Sequence, residues 1–260
     1  MKPVDVLHKL EKVAPVSLSD DFCKKYNLYD NSGLIINCGE EASGVLFALD
    51  LSMPAVKEAA ARGYNLIVTH HPAIYGGISK LDAVSNPQSA VLCECVRRGI
   101  SVISMHLNFD AAPRGIDYYL MRGLGGENPD ILAPVNGGGY GRLYSVNYND
   151  FGEMVQKARA EFSRDKLLAY GDMSKKIGKA ASFCGAGCDD KAIAFAVSGG
   201  ADVFVSSDMK HHEITALLSH GINVLHMTHY ASENYGFNKI YSDIKEKLEL
   251  PSVFYNNAEL

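Results

Sequence analysis

The chain has 260 residues, 47% of them hydrophobic and 21% charged, a globular composition long enough to bury a core without disulfide staples. A disordered chain and a small disulfide scaffold are thereby excluded. Lysine plus arginine total 25 against 30 aspartate plus glutamate, a formal charge of -5, so no global basic field is available to attract nucleic acid or anionic lipid.

The six cysteines, Cys23, Cys38, Cys93, Cys95, Cys184 and Cys188, contain no C-x-x-C pair and read as reduced core thiols. The opening MKPVDVLHKLEKVAP lacks the apolar run of a signal peptide, and no stretch approaches the roughly 18 apolar residues of a membrane span. A cytoplasmic protein without membrane contact is expected. More telling is the uneven distribution of nine histidines: His8, the pair His70 and His71, His106, the pair His211 and His212, then His220, His226 and His229.

In chain order, Leu7, Leu10 and Ala14 predict an amphipathic helix over residues 5–14, stopped by Pro15. Residues 44–50 (GVLFALD) read as a buried strand. Ser52 then caps a helix with Pro54 in its first turn, which ends at Gly63. Residues 65–69 (NLIVT) form the next buried strand and deliver His70 and His71 at its carboxyl end, where open parallel sheets place their chemistry.

A shift of 137 residues reveals a second copy of this plan. Residues 181–187 (ASFCGAG) match the first strand, Asp189 or Asp190 caps the helix 192–198, and residues 201–206 (ADVFVS) repeat the strand before the histidines. Ser207 and Asp208 thus occupy the places of His70 and His71. The strands at Gly99–Val102 and Gly221–Val224 correspond too, and each leads to a histidine followed four residues later by a carboxylate: His106 with Asp110, His229 with Glu233.

The Gly-rich stretch 136–141 (NGGGYG) lacks the ending of a phosphate-binding loop and reads as a linker or tight turn. Phe237, Ile240, Tyr241, Ile244 and Leu248 mark a last amphipathic helix, and residues 252–255 a strand returning to the first half. The expected fold is α/β, two similar lobes from an internal repeat: residues 1–128 plus 234–260, and residues 139–233.

Adjacent histidines converge most easily at a strand end, where the backbone turns, and His229 with Glu233 share a helix face. Imidazole with carboxylate suits Zn, Mn, Fe or Ni. His70, His71, Asp110, His229 and Glu233 are too many for one catalytic zinc, which takes three protein ligands and a water, and match two ions sharing a carboxylate. Solvated loop histidines and charged helix-surface pairs are the alternatives at this point.

The strings YDNSGLIINCG (29–39), IVTHHPAIYGGISKL (67–81), SMHLNFDAAPRGIDYYL (104–120), GYGRL (139–143) and the long block 201–233 resemble, in order, the successive blocks of the Nif-three-like dinuclear metal-centre family. The resemblance implies a two-metal site in the cleft between two α/β lobes, a toroidal homohexamer, and the label GTP cyclohydrolase type two homologue. It further implies that His70, His71, Asp110, His229 and Glu233 bind the metals, with Glu233 as the bridge and His70 and His71 serving different ions. His106 matches a family histidine near the centre and is the candidate for proton transfer. Asp208 and His212 match the acidic residue and histidine of the second-half motif and are expected to line the substrate cleft. The family's Thr-Gly before that acidic residue is Ser206-Ser207 here, and Thr228 replaces a glycine before His229.

The function expected is a metal-dependent hydrolase acting on a nucleotide or another phosphorylated small molecule, with two divalent ions as cofactor and no nucleic-acid partner. The competing expectations are a non-catalytic metal-binding regulatory or metal-handling protein, and an assembly scaffold whose ring is its function.

Overall fold

The computed structural model describes residues 1–163 and 166–257. Its contacts divide the described chain into two units, Met1–Phe109 with 237–257, and Asp110–Gly236. The first unit opens with α1 (Pro3–Leu10) and α2 (Val16–Tyr26), followed by β1 (Gly33–Ile36), β2 (Val45–Ala48), α3 (Met53–Ala61), β3 (Leu66–Thr69), α4 (Pro87–Arg97) and β4 (Ser101–Ser104). After α5 (Leu107–Ala111), the second unit contains α6 (Ile116–Gly123), β5 (Glu127–Val135), β6 (Gly138–Tyr148), α7 (Phe151–Ala158), β7 (Leu167–Tyr170) and β8 (Ile177–Ser182). It continues with α8 (Asp190–Ser198), β9 (Val203–Ser207), α9 (His211–Ser219) and β10 (Asn223–Met227). The long helix α10 (His229–Ile244) starts in the second unit, and β11 (Ser252–Tyr255) lies in the first.

The first unit is a five-stranded sheet in the order β1-β4-β3-β2-β11. Only β1 runs antiparallel to its neighbour. Every residue of β2, β3 and β4 is buried, as a parallel sheet covered on both faces requires. Leu46, Ile67 and Val102 pack on one side with Val56, Leu92 and Cys95 of the helices. On Phe47 sit Phe237, at 6.0 Å between ring centroids, and Tyr241, at 4.9 Å. The predicted caps hold: Ser52 Oγ accepts from the Ala55 amide at 3.3 Å, and Gly63, at φ +70°, follows the end of α3 where a side chain would be strained.

The opening helix is shorter than its apolar spacing suggests. It stops at Leu10, and Pro15 serves as the cap of α2 rather than as the stop of α1.

The second unit is a six-stranded sheet in the order β5-β6-β8-β9-β10-β7, with β8, β9 and β10 parallel. The segment β8-α8-β9-α9-β10 repeats β2-α3-β3-α4-β4, and Asp189 caps α8 by accepting from the Ala192 amide at 2.8 Å. Of the two readings of residues 136–141, linker or tight turn, the tight turn holds. Asn136 and Gly137, both at positive φ, make the two-residue turn of the β5–β6 hairpin. Gly138 then begins β6, where a Cβ would lie 2.1 Å from the Ala111 carbonyl oxygen.

A buried ion pair ties this unit together. Asp117 of α6 lies 3.3 Å from Arg142 of β6 and also accepts from the amides of Gly141, at 3.0 Å, and Cys184, at 3.1 Å. Burial pushes the Asp117 carboxyl up to about 6 against the pull of the guanidinium and the two amides. No helix of the described residues is long and apolar enough to cross a membrane.

Cys95 supplies a test of the first unit's core. Burial raises its thiol from 9.0 to about 12, so between those values the native thiol keeps a proton that the unfolded thiol loses. Stability must therefore fall as pH rises through that window. Chemical denaturation between pH 8 and 11 is expected to give a shallower alkaline decline for Cys95→Ala than for the parent chain.

Candidate metal centre

The histidines of the first unit emerge where the sheet's own hydrogen bonding ends. Past the last β2–β3 pair, Ala48 with Thr69, the amides of both His70 and His71 donate to the Leu49 carbonyl, at 3.2 and 3.0 Å. The Thr69 hydroxyl donates to the His71 carbonyl at 2.8 Å and contacts Ser104 Oγ at 2.9 Å. This turned backbone brings the adjacent imidazoles to 5.0 Å between ring centroids, which a continuing strand would send to opposite faces.

His106, just past β4, joins them with centroids 5.2 Å from His70 and 5.8 Å from His71. One ring nitrogen of each of the three lies within 4.8 Å of those of the other two.

Each ring is oriented through Nδ1. His70 Nδ1 lies 2.9 Å from the Met105 carbonyl oxygen. A carbonyl can only accept, so that nitrogen carries the proton and the lone pair is on Nε2. His71 Nδ1 meets Asp50 Oδ1 at 2.6 Å, and His106 Nδ1 meets Asp30 Oδ1 at 2.7 Å. Burial works against the charge on Asp30, but hydrogen bonds from His106, Ser19 and Ser32 outweigh it and hold the carboxyl well below its usual range. Asp30 is thus more than the turn residue that its Asp-Asn-Ser-Gly context suggests.

The second unit holds the remaining candidates. Glu233 and Asp110 are buried, and a carboxylate oxygen of one lies within 4.8 Å of one of the other. His229 opens α10, so its Nε2 reaches Glu233 Oε2, one turn on, at 3.1 Å. The Cys184 thiol donates to Asp110 Oδ1 at 3.4 Å. These carboxylates, with Asp117, add to the burial that raises the Cys184 thiol well above its normal value.

Gly185 adopts φ +59°, and a Cβ there would sit 2.2 Å from Glu233 Oε1 and 3.3 Å from His229 Nε2. The room for the two ligand candidates exists because this position has no side chain.

Asp208 lies beside His229: its Oδ2 accepts from His229 Nδ1 at 2.5 Å. His212 stands exposed in the first turn of α9, and its carbonyl accepts from the Thr215 hydroxyl at 3.0 Å. Among the described residues it belongs to none of the histidine and carboxylate groups whose ligand atoms lie within 4.8 Å of one another.

No sequence pattern points to Asp50, or to Asp30 as the partner of His106. The β2–β3 register, extended two residues past Ala48 and Thr69, sets Asp50 opposite His71, a signal visible only after strand pairing is known. The donor chemistry fits a divalent ion. Imidazoles are held in the Nδ1–H form by carboxylates or a carbonyl, the usual support of metal-bound histidine, and two buried carboxylates approach each other as anions do around a shared cation.

Two expectations follow. Asp50→Asn and Asp208→Asn are each expected to weaken metal binding about 10- to 100-fold in chelator competition, with little change in melting temperature, since both carboxylates are about half exposed. Gly185→Ala is expected to displace the Glu233 carboxylate and lower metal content by elemental analysis. Full retention of metal in that variant would contradict the placement of Glu233.

Comparison with known proteins extends these observations. The chain is 28% identical over 263 residues to the GTP cyclohydrolase 1 type 2 homolog of Lactococcus lactis, covering 100% of this chain and 97% of that one. The crystal structure of a Staphylococcus aureus hypothetical protein superposes with a TM-score of 0.82 at 26% identity, covering 98% of this chain and 96% of that one. A Bacillus cereus protein related to NIF3 shares the fold, with a TM-score of 0.83 at 18% identity over 98% of this chain and 97% of its own. The family pattern described as Duf34/NIF3 (NGG1p interacting factor 3) matches residues 1–259, and the chain belongs to that family.

Proposed function

We propose that this protein is a dinuclear metal-dependent hydrolase acting on a nucleotide or phosphorylated small molecule, with His70, His71, Asp110, His229 and Glu233 as metal ligands. The observation that carries the reading is the orientation of His70, His71 and His229. Each has Nδ1 on a fixed acceptor, which leaves Nε2 as the coordinating atom. A histidine that merely fills a core needs no such alignment with other ligand candidates. Two divalent ions would supply Lewis acidity and water activation.

The protein's own groups set the electrostatics. Asp110 and Glu233 cancel only part of the charge of two divalent ions, which favours an anionic or carbonyl oxygen of the substrate. Asp50 and Asp208 stabilise His71 and His229 through their ring protons, making them better electron donors. Glu233, 3.1 Å from His229 Nε2 and with a carboxylate oxygen within 4.8 Å of one of Asp110, would be the ligand shared by the two ions. The donor set admits Zn, Mn, Fe or Ni. A GTP-like purine nucleotide, opened at its ring by water, is the favoured substrate because the curated relatives are named as GTP cyclohydrolase homologues. A homohexamer in the cytoplasm completes the proposal by family resemblance.

The test is a panel of nucleotides and phosphoesters offered to metal-loaded protein and to His70→Ala and Glu233→Ala. Each variant is expected to lose metal and at least 100-fold in turnover on whichever substrate the parent hydrolyses. Equal turnover in all three would refute the assignment to this centre. Stoichiometric metal with no turnover on any substrate would favour the metal-handling reading.

A further inference from the structure

We propose that the cavity between α9 and the edge strand β7 is a second ligand site, suited to a small uncharged aromatic molecule that carries a carbonyl oxygen. It lies wholly within the second unit. None of its residues belongs to the histidine and carboxylate groups of the metal centre, so the inference is independent of the function proposed above.

Strand pairing places the walls. In the β7–β10 register His226 stands opposite Leu168 and Val224 opposite Tyr170, so all four side chains point to one face of the sheet. Val224 belongs to the same buried cluster as Ile214 and Leu217 of α9, which identifies that face as the one beneath the helix. Ile214 and Leu218, one turn apart on α9, and Met209, just before it, complete a cavity of about 340 Å³. Small-molecule sites begin at about this size. β7 is the last strand of its sheet and Leu168 is 57% exposed, so the cavity opens at the sheet edge.

His226 gives the cavity its polar demand. Its Nε2 accepts from the Met209 amide at 3.4 Å, which places the proton of the neutral ring on Nδ1. That nitrogen is buried and has no hydrogen-bond partner. Burial lowers the pKa of the ring, against the pull of Asp208, and so keeps it a neutral donor. A buried N–H without a partner carries a desolvation cost that an arriving acceptor relieves. The ring as a whole is only partly buried where it lines the cavity. Its torsion about Cβ–Cγ is soft, and one long hydrogen bond restrains it weakly. A small turn of the ring therefore presents Nδ1–H to a ligand.

The lining selects the ligand. No carboxylate, lysine or arginine is part of it, so a charged molecule would give up hydration without gaining a counter-ion. His211, the other imidazole of the lining, is exposed and keeps its water. An aliphatic chain would fill the volume but leave the Nδ1 proton unpaired. The Tyr170 ring and the Met209 thioether both pack favourably on aromatic faces and edges. An aromatic ring with one carbonyl acceptor meets each of these conditions.

The test titrates the full-length chain with three molecules of one shape: acetophenone, α-methylstyrene, which has a methylene in place of the carbonyl oxygen, and the charged benzoate. Acetophenone is expected to bind about 10-fold more tightly than benzoate and to shift the ¹⁵N resonance of His226 Nδ1, which α-methylstyrene leaves in place. His226→Phe is expected to weaken acetophenone about 10-fold, the loss of one hydrogen bond to a buried donor, without weakening α-methylstyrene. Leu218→Trp, which fills the cavity and leaves His226 intact, is expected to abolish binding of both. The resonance shift in the parent chain keeps the test decisive if His226→Phe disturbs the fold. An unmoved Nδ1 resonance, benzoate binding as tight as acetophenone, equal losses for both neutral probes in His226→Phe, or undiminished acetophenone binding in Leu218→Trp would each overturn the proposal. None of these readouts depends on metal content or turnover, so their failure leaves the hydrolase reading untouched.

Discussion

A histidine can serve a metal only when one ring nitrogen is stripped of its proton and aimed, and in this protein a hydrogen bond at the other nitrogen does both. Met105, Asp50, Asp30 and Asp208 are the acceptors for His70, His71, His106 and His229. Three are carboxylates, which favour extra positive charge on the ring and would strengthen it as a ligand for a metal ion. Within each unit, acceptors and rings stand at the carboxyl ends of parallel strands, where amides and carbonyls run out of ladder partners and the chain must turn.

The internal repeat shows one scaffold put to two uses. In the first unit the amides after β3 close on the Leu49 carbonyl and the strand end carries ligand candidates. In the second unit the corresponding turn carries Ser207 and Asp208. Ser207 donates through both its amide, at 3.1 Å, and its hydroxyl, at 2.6 Å, to the Gly185 carbonyl. Asp208, in the place of His71, orients His229. The exchange of a histidine pair for serine and aspartate replaces a strand end that carries ligand candidates by one that supports His229.

That support meets at Cys184 and Gly185. Asp117 holds the Cys184 amide and Tyr140 donates to its carbonyl, while Ser232 Oγ accepts from the Gly185 amide at 2.9 Å and Ser206 donates to the Gly185 carbonyl at 3.1 Å. A segment so restrained can be brought close to Asp110 and Glu233 without a side chain intervening. The departures from the family's Thr-Gly motif at Ser206 and Ser207 are accommodated because both hydroxyls find the same acceptor.

Much was legible before any coordinates. Apolar runs, caps and glycines located β2, α3 and β3 to within a residue or two, and the 137-residue repeat revealed the second α/β half. The four-residue spacing of His229 and Glu233 is a helical pair because α10 begins at His229, a local property that sequence carries. The sequence by itself determined which residue types stand at the strand ends, and so which chemistry is available. The tertiary structure alone decided which carboxylate holds which imidazole, that His106 stands with His70 and His71, and that Gly185 lies against Glu233. Those contacts join residues 21 to 76 positions apart. They depend on sheet order and register, which no periodicity along a single strand or helix encodes.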